Sequence, residues 1–393
     1  MRLTTDNKLT WIVLALCHIA GMLDLVILPL WVGGMMQDYG FQPFAAGGMV
    51  TIYLIGTLIS NAILARSFGK LPEKLVAVVG FAVPAVAFYL MTYVPGITFL
   101  SSFAALAILH FIGGAGAGAG LVMVHGLIGR SSNPHRLFAV VNGGVSLWAI
   151  LFFAITPGFM ATMGVNAVFM AAALIIGIAT IAALVGFPSS PAMTAARAAT
   201  SSRSAAPALI LGLCFAGVVA LQTSEAMTFS FVERIGTWRG FGAGRIANML
   251  VAASFVPLLA PILAGLMQNR FQAINVAIGG LMFHGLLSAT ISNSPSFLPY
   301  AVASSLMIST VIFTHTFVFG LLAKLDPSGR TNAATPSMLM IGTAIGSFVG
   351  GAVGEAIGLY AIGTVALCVT LVGAGCFLYV KQYLQTAMTP APT

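Results

Sequence analysis

Apolar stretches of about 20 residues recur from one end of this chain to the other, and each is long enough to cross the roughly 30 Å hydrocarbon core of a bilayer as a helix. They fall near 9–31, 44–66, 75–94, 98–127, 137–160, 165–187, 207–231, 242–268, 274–293, 298–323, 334–359 and 360–382. The fourth is unusually long and rich in glycine. Only 6% of the 393 residues are charged and 59% are hydrophobic, whereas a soluble domain carries about 25% charged residues. So few charges cannot clothe a water-exposed surface, so the solvent around most of the chain is lipid. The expected fold is an all-α integral membrane protein of about twelve transmembrane helices. The N-terminal segment runs straight into an apolar stretch of spanning length without a signal-peptide pattern, and reads as a retained first helix.

The net charge of +8 does not point to nucleic acid, because the basic residues sit singly in short loops. With a cytoplasmic N-terminus, only Arg234, Arg239 and Arg245 fall outside, and the other thirteen of the 16 Lys and Arg fall inside. That bias is the positive-inside signature. It predicts an even number of spans with both termini in the cytoplasm; the expected setting is the plasma (inner) membrane, and the expected state a monomer. Cys17, Cys214, Cys368 and Cys376 all lie in apolar stretches without Cys-x-x-Cys spacing, and read as small hydrophobes rather than metal ligands.

The longest polar connection, 188–206, is rich in Ser, Ala and Pro and sits near the midpoint. It reads as a flexible cytoplasmic linker between an N-terminal six-helix bundle (1–187) and a C-terminal one (207–393). A weak internal repeat supports the division. Cys17 and Cys214 hold like places in the first and seventh stretches. Phe44-Ala45-Ala46-Gly47 opens the second and Phe241-Gly242-Ala243-Gly244 the eighth, while Ile63-Leu64-Ala65 and Ile262-Leu263-Ala264 close them. Arg136, Pro157 and Gly164 match Arg330, Gly351 and Gly358 at one constant offset. Parallel repeats of this kind occur in two-half transporters.

Twelve helices, a central cytoplasmic linker and degenerate local motifs together resemble the major facilitator superfamily over essentially the whole chain. In that family the loop after the second helix usually reads Gly-x-x-x-Asp-Arg-x-Gly-Arg-Arg. Here the stretch from Ala62 to Lys70 keeps Arg66, Gly69 and Lys70 but no acid, and the matching loop from Gly265 to Gln272 has Asn269 before Arg270 where the aspartate is expected. The resemblance implies a cytoplasmic gate at these two loops. In the fourth helix the family often has Arg-x-x-x-Gly-x-Gly, with the arginine tied to proton handling. This chain has His110 in that place, followed by Gly114 and Gly116, and a histidine titrates near neutral pH. The drug:proton antiporter branch carries a Gly-x-x-x-Gly-Pro-x-x-Gly-Gly pattern in the fifth helix. Pro157 and Gly158 keep part of it.

Ionisable residues inside a membrane are costly and mark function. Asp24 and Glu225 lie in the counterpart first and seventh stretches. As buried carboxyls they are candidates for proton coupling or for holding a cationic group, against structural hydrogen bonding as the plainer reading. Gln222 lies one turn from Glu225 on the same helix face. His110 and His315 lie mid-membrane in the counterpart fourth and tenth stretches, as proton-handling or substrate-binding candidates or as packing residues. His18 and His284 read as packing or interface residues, and His125 lies near the cytoplasmic end of its stretch. Arg245 and Glu355 lie at the outer ends of their stretches, as an ion pair, an outer gate or a substrate contact. Gly346, Gly350, Gly354 and Gly358 share a spacing that makes one smooth face, and the run from Gly113 to Gly120 suits close helix contact rather than phosphate binding. No nucleotide-binding motif, metal-ligand cluster or catalytic triad stands out, so no cofactor and no enzymatic activity are expected. The composite expectation is a proton-coupled carrier working by alternating access. Its partners are protons, the bilayer and a small molecule, either a cationic or neutral export substrate or an imported organic acid or metabolite.

Overall fold

The computed structural model of the chain describes residues 8–65, 71–94, 102–129, 131, 134–188, 206–326, 331 and 335–388. The chain divides into two compact units, Met1–Arg197 and Ala198–Thr393. Each is built from six apolar spans, twelve in all among the described residues. The expected all-α membrane architecture is therefore the one observed.

In the first unit, the opening span comprises α1 (Lys8–Gly21) and α2 (Asp24–Asp38), followed by α3 (Pro43–Ala65), α4 (Glu73–Met91), α5 (Ser102–Gly129), α6 (Pro134–Met163) and α7 (Asn166–Gly186). The first apolar stretch thus runs on past residue 31 to Asp38, and it is interrupted. The backbone tightens between α1 and α2, where Leu25 N–H and Val26 N–H bond three residues back, to Met22 and Leu23. Pro29 inside α2 withholds a further bond from the Leu25 carbonyl. α5 packs between α3 and α4, and α1 lies against α7 and α6.

The second unit contains α8 (Ala208–Phe229), the short α9 (Val232–Trp238), α10 (Ala243–Phe255), α11 (Ala260–Met267), α12 (Ala273–Asn293) and α13 (Phe297–Leu325). It closes with α14 (Thr335–Ala356) and α15 (Leu359–Met388). The eighth span is split by a 3₁₀ turn at Val256–Leu259. Pro257 and Pro261 lack the N–H groups that would carry the α-helix through.

Counting spans from the start of each unit, both units pair the first with the fifth and sixth, the second with the fourth, the third with the fourth, and the third with the sixth. The repeat is therefore one of packing as well as of sequence. Its turns repeat too: Gly40 and Gly240 follow the first span of each unit, and Gly164 and Gly358 precede the sixth, all at positive φ. Glycine takes that conformation without the steric cost other residues meet.

The outward faces are hydrocarbon. Val185, Leu266 and Leu298 are each more than 70% exposed, as lipid-facing side chains are.

Candidate functional site

Asp24 occupies the first turn of α2, a position created by the break in the opening span. Its side chain is buried and turns back toward the N–H groups of Asp24 and Leu25, where a helix N-terminus favours negative charge. Among the described residues no lysine or arginine pairs with it. It lies within electrostatic reach of the Tyr53 phenol on α3. The Tyr53 hydroxyl is itself buried and without a hydrogen-bond partner. A buried acid and an unsatisfied hydroxyl thus share one neighbourhood, where a proton, a water or a ligand group would be accommodated.

Next to them stands an aromatic cluster drawn from five spans. The Trp31 indole stacks on the His110 ring at 5.2 Å and meets Tyr53 and Phe88 edge-on, and Phe169 closes the group against His110 and Phe88. Trp31 Nε1 donates to His110 Nε2 at 3.0 Å, and His110 Nδ1 lies 2.6 Å from the Leu106 carbonyl. The carbonyl can only accept, so Nδ1 carries the hydrogen and Nε2 is the acceptor. Both nitrogens of His110 are therefore occupied. A further proton on Nε2 would set two N–H groups against each other.

In the second unit, Gln222, Thr223, Ser224 and Glu225 are all buried on α8. Gln222 Nε2 donates to Glu225 Oε2 at 2.8 Å. The serine hydroxyls of α8 and the turn after it face other spans, Ser224 to Ser288 at 3.4 Å and Ser230 to Ser347 at 3.1 Å. α14 reaches this side of α8 through its glycines. A methyl at Gly342 would strike the Gln222 side chain, and one at Gly346 or Gly350 the backbone of Thr223 or Met227. Gly358 does not belong to that face. It lies in the turn beyond α14, at φ +125°.

His315 is buried and stacked on Phe319, with no partner for its Nε2. His284 is fully buried with neither nitrogen bonded, although the Met307 backbone lies beside it. Arg245 is exposed, with its guanidinium 4.2 Å from the centre of the Phe297 ring, a cation–π contact. Glu355 is exposed in the last turn of α14. Asn269 and Arg270 are exposed in the turn after α11. Arg66, Gly69 and Lys70, and all but the ends of the 188–206 linker, lie outside the described residues.

Sequence reasoning missed three groups. Asp38 accepts a hydrogen bond from the Val165 backbone N–H at the start of α7, an anion satisfying an orphan helix donor. Burial and then the charge of Asp38 push the neighbouring Tyr39 phenol up to about 12. Trp31 and Tyr53 read as ordinary apolar filler until their partners are seen. His18, read as a packing or interface residue, and His125, placed near the cytoplasmic end, meet in a hydrogen bond. None leaves a linear signal, because each pairing joins spans far apart in the chain.

No protein-family model matches this chain, and no curated protein matches it. Among solved structures, the crystal structure of nucleoside transporter NupG (D323A mutant) is similar, with a TM-score of 0.76 at 12% identity, over 95% of this chain and 99% of that one. None of these comparisons carries the resemblance to the drug:proton antiporter branch. At so low an identity the likeness speaks for the architecture, and the chain has the major facilitator fold.

Proposed function

We propose that this protein is a proton-coupled secondary transporter working by alternating access, with Asp24 in the first unit and Glu225 in the second exchanging protons. The observation that carries the reading is Asp24: a buried carboxyl at a break in the opening span, beside a buried hydroxyl that lacks a partner. A carboxyl kept from water is driven toward its neutral form and becomes an exchanger of protons rather than a fixed charge. The cargo we favour is a cationic or neutral, partly apolar small molecule, moved outward. Two features support that chemistry. An aromatic cluster stands beside Asp24. Arg245, a candidate anion contact, is exposed and spent on Phe297.

A second reading, proton-driven uptake of a small metabolite, draws on Gln222, Thr223, Ser224 and Ser288. These make a neutral hydrogen-bonding set suited to hydroxyl and amide groups.

Purified protein in proteoliposomes, screened by thermal shift against cationic drugs, organic acids and nucleosides, will reveal the ligand class through mass action. Accumulation of that ligand should then follow an imposed pH gradient, and Asp24→Asn should abolish the dependence while leaving binding within about tenfold. Transport that persists unchanged in Asp24→Asn with the gradient collapsed would sink the mechanism. Everted against right-side-out vesicles separates export from uptake.

A further inference from the structure

The fourth-span histidine that the motif singles out, His110, has both nitrogens engaged. A second histidine of the same helix does not. His125 on α5 faces His18 on α1, with His125 Nε2 3.2 Å from His18 Nδ1 and the ring centres 5.2 Å apart. His18 Nε2 lies 3.5 Å from Asn142 Oδ1 on α6, a long contact. Asn142 Nδ2 donates to the Phe138 carbonyl at 2.8 Å.

Together, these contacts favour one arrangement of protons along the group. Only the amide NH2 of Asn142 can face the Phe138 carbonyl, so its Oδ1 faces His18. His18 therefore carries its hydrogen on Nε2 and presents a lone pair at Nδ1. His125 Nε2–H donates into that lone pair, and one acceptor is left over, His125 Nδ1. His18 is buried, His125 is partly exposed and Asn142 is exposed. An exposed asparagine on a membrane span is costly in hydrocarbon, so this side of the group is the side open to water.

We propose that His18, His125 and Asn142 form a second proton-binding site of the transporter, which takes up one proton at His125 Nδ1. In naming the proton as the coupling ion, the inference rests on the function proposed above. The added proton breaks no existing hydrogen bond. Its charge can pass inward when the Nε2 proton of His125 shifts to His18 Nδ1. His18 then donates from both nitrogens, to Asn142 Oδ1 and to His125 Nε2. A second proton has no lone pair to enter, so the pair holds one charge.

The surrounding elements leave the pair its own titration. α7 has no ionisable side chain, and the acid and base of α4, Glu73 and Lys74, lie in its first turn. On α1, Cys17 is spent on the Ala179 carbonyl. His110 precedes His125 by four turns of α5, and Asp24 follows His18 by about 9 Å along the span axis. His135 and Arg136 open α6, with side chains outside the described residues.

The test is ¹⁵N NMR of the full chain, histidine-labelled and reconstituted in nanodiscs, titrated from about pH 4 to 9. The signals are assigned with single His→Gln variants. The expected result is uptake of one proton reported by both the His18 and His125 rings, with His110 unchanged. Asn142→Asp, which puts a carboxylate against His18 Nε2–H, should raise the midpoint by about one pH unit or more. His125→Gln should remove the uptake, and if that variant does not fold, Asn142→Asp carries the test alone. Rings that stay neutral throughout, with no response to Asn142→Asp, overturn the site. If Asp24→Asn still abolishes gradient-driven transport in that case, the coupling mechanism stands without the pair. If the rings titrate as expected but transport ignores the pH gradient, the site stands and the coupling mechanism falls.

Discussion

Glu233 shows how a single side chain registers its setting. It lies on α9, beyond the seventh span, and Thr237 Oγ1 donates to its Oε1 at 2.8 Å. Burial raises its pKa above the ordinary 4.5, against smaller opposing pulls from Thr237 and Arg234. A raised folded-state pKa means the native protein binds this proton more tightly than the unfolded chain does. The stabilising contribution is full at pH below the unfolded value and is lost as pH rises through the folded value. Glu233→Gln keeps the acceptor for Thr237 and removes the charge. Its melting temperature should exceed that of the unaltered protein near neutral pH and converge with it in acid, measured by differential scanning fluorimetry in detergent. A difference independent of pH would show that the charge is not what matters. Asp24, by contrast, lies within electrostatic reach of a buried hydroxyl that has no partner, and the role proposed for it above is exchange rather than stability.

At the scale of elements, glycine decides which helices can touch. α5 lies against the backbone of α3 because Gly114 and Gly118 have no side chain to hold it off Tyr53 and Thr57, and Thr57 Oγ1 donates to the Gly114 carbonyl at 3.0 Å. Small residues at such contacts are the membrane's substitute for a hydrophobic drive between helices. Gly114→Ala, whose methyl would meet the Tyr53 carbonyl, should cost about 1–3 kcal/mol. It should also loosen the Trp31–His110 contact, one turn away. Gly177→Ala in α7, where a methyl meets nothing within 4 Å, should be neutral or stabilising by up to about 1 kcal/mol. Thermal denaturation of the two variants side by side checks this, and equal effects would refute the packing account. α14 uses the same device against α8, and there it brings the glycine face onto Gln222.

For the whole molecule, the two units repeat one packing scheme with different polar contents. The first holds an acid, an aromatic cluster and a histidine pair. The second holds an acid bonded to glutamine and a set of hydroxyls. The loop charges predict that both ends of the chain face the cytoplasm. Fluorescent-protein fusions should therefore light up at either terminus, and alkaline phosphatase fusions there should be inactive. An active phosphatase at one end alone would mean an odd number of crossings.

Span number and the membrane itself were legible in the linear sequence, because hydrophobicity summed over about 20 residues is a local property. Asp24 and Glu225 were legible for the same reason: a charge within an apolar run stands out without knowledge of its neighbours. What the tertiary structure alone decided is how the polar groups are spent. The break that puts Asp24 at a helix start falls beside Gly21, where Leu121 of α5 packs too close for a side chain. The occupation of both His110 nitrogens depends on Trp31, 79 residues away, and the open nitrogen of His125 on His18 and Asn142. A motif at one helix position offered His110 as a candidate to assist proton handling. The nitrogen proposed here to take up a proton is on His125, four turns along the same helix, because hydrogen-bond capacity belongs to a constellation of spans and not to any one of them.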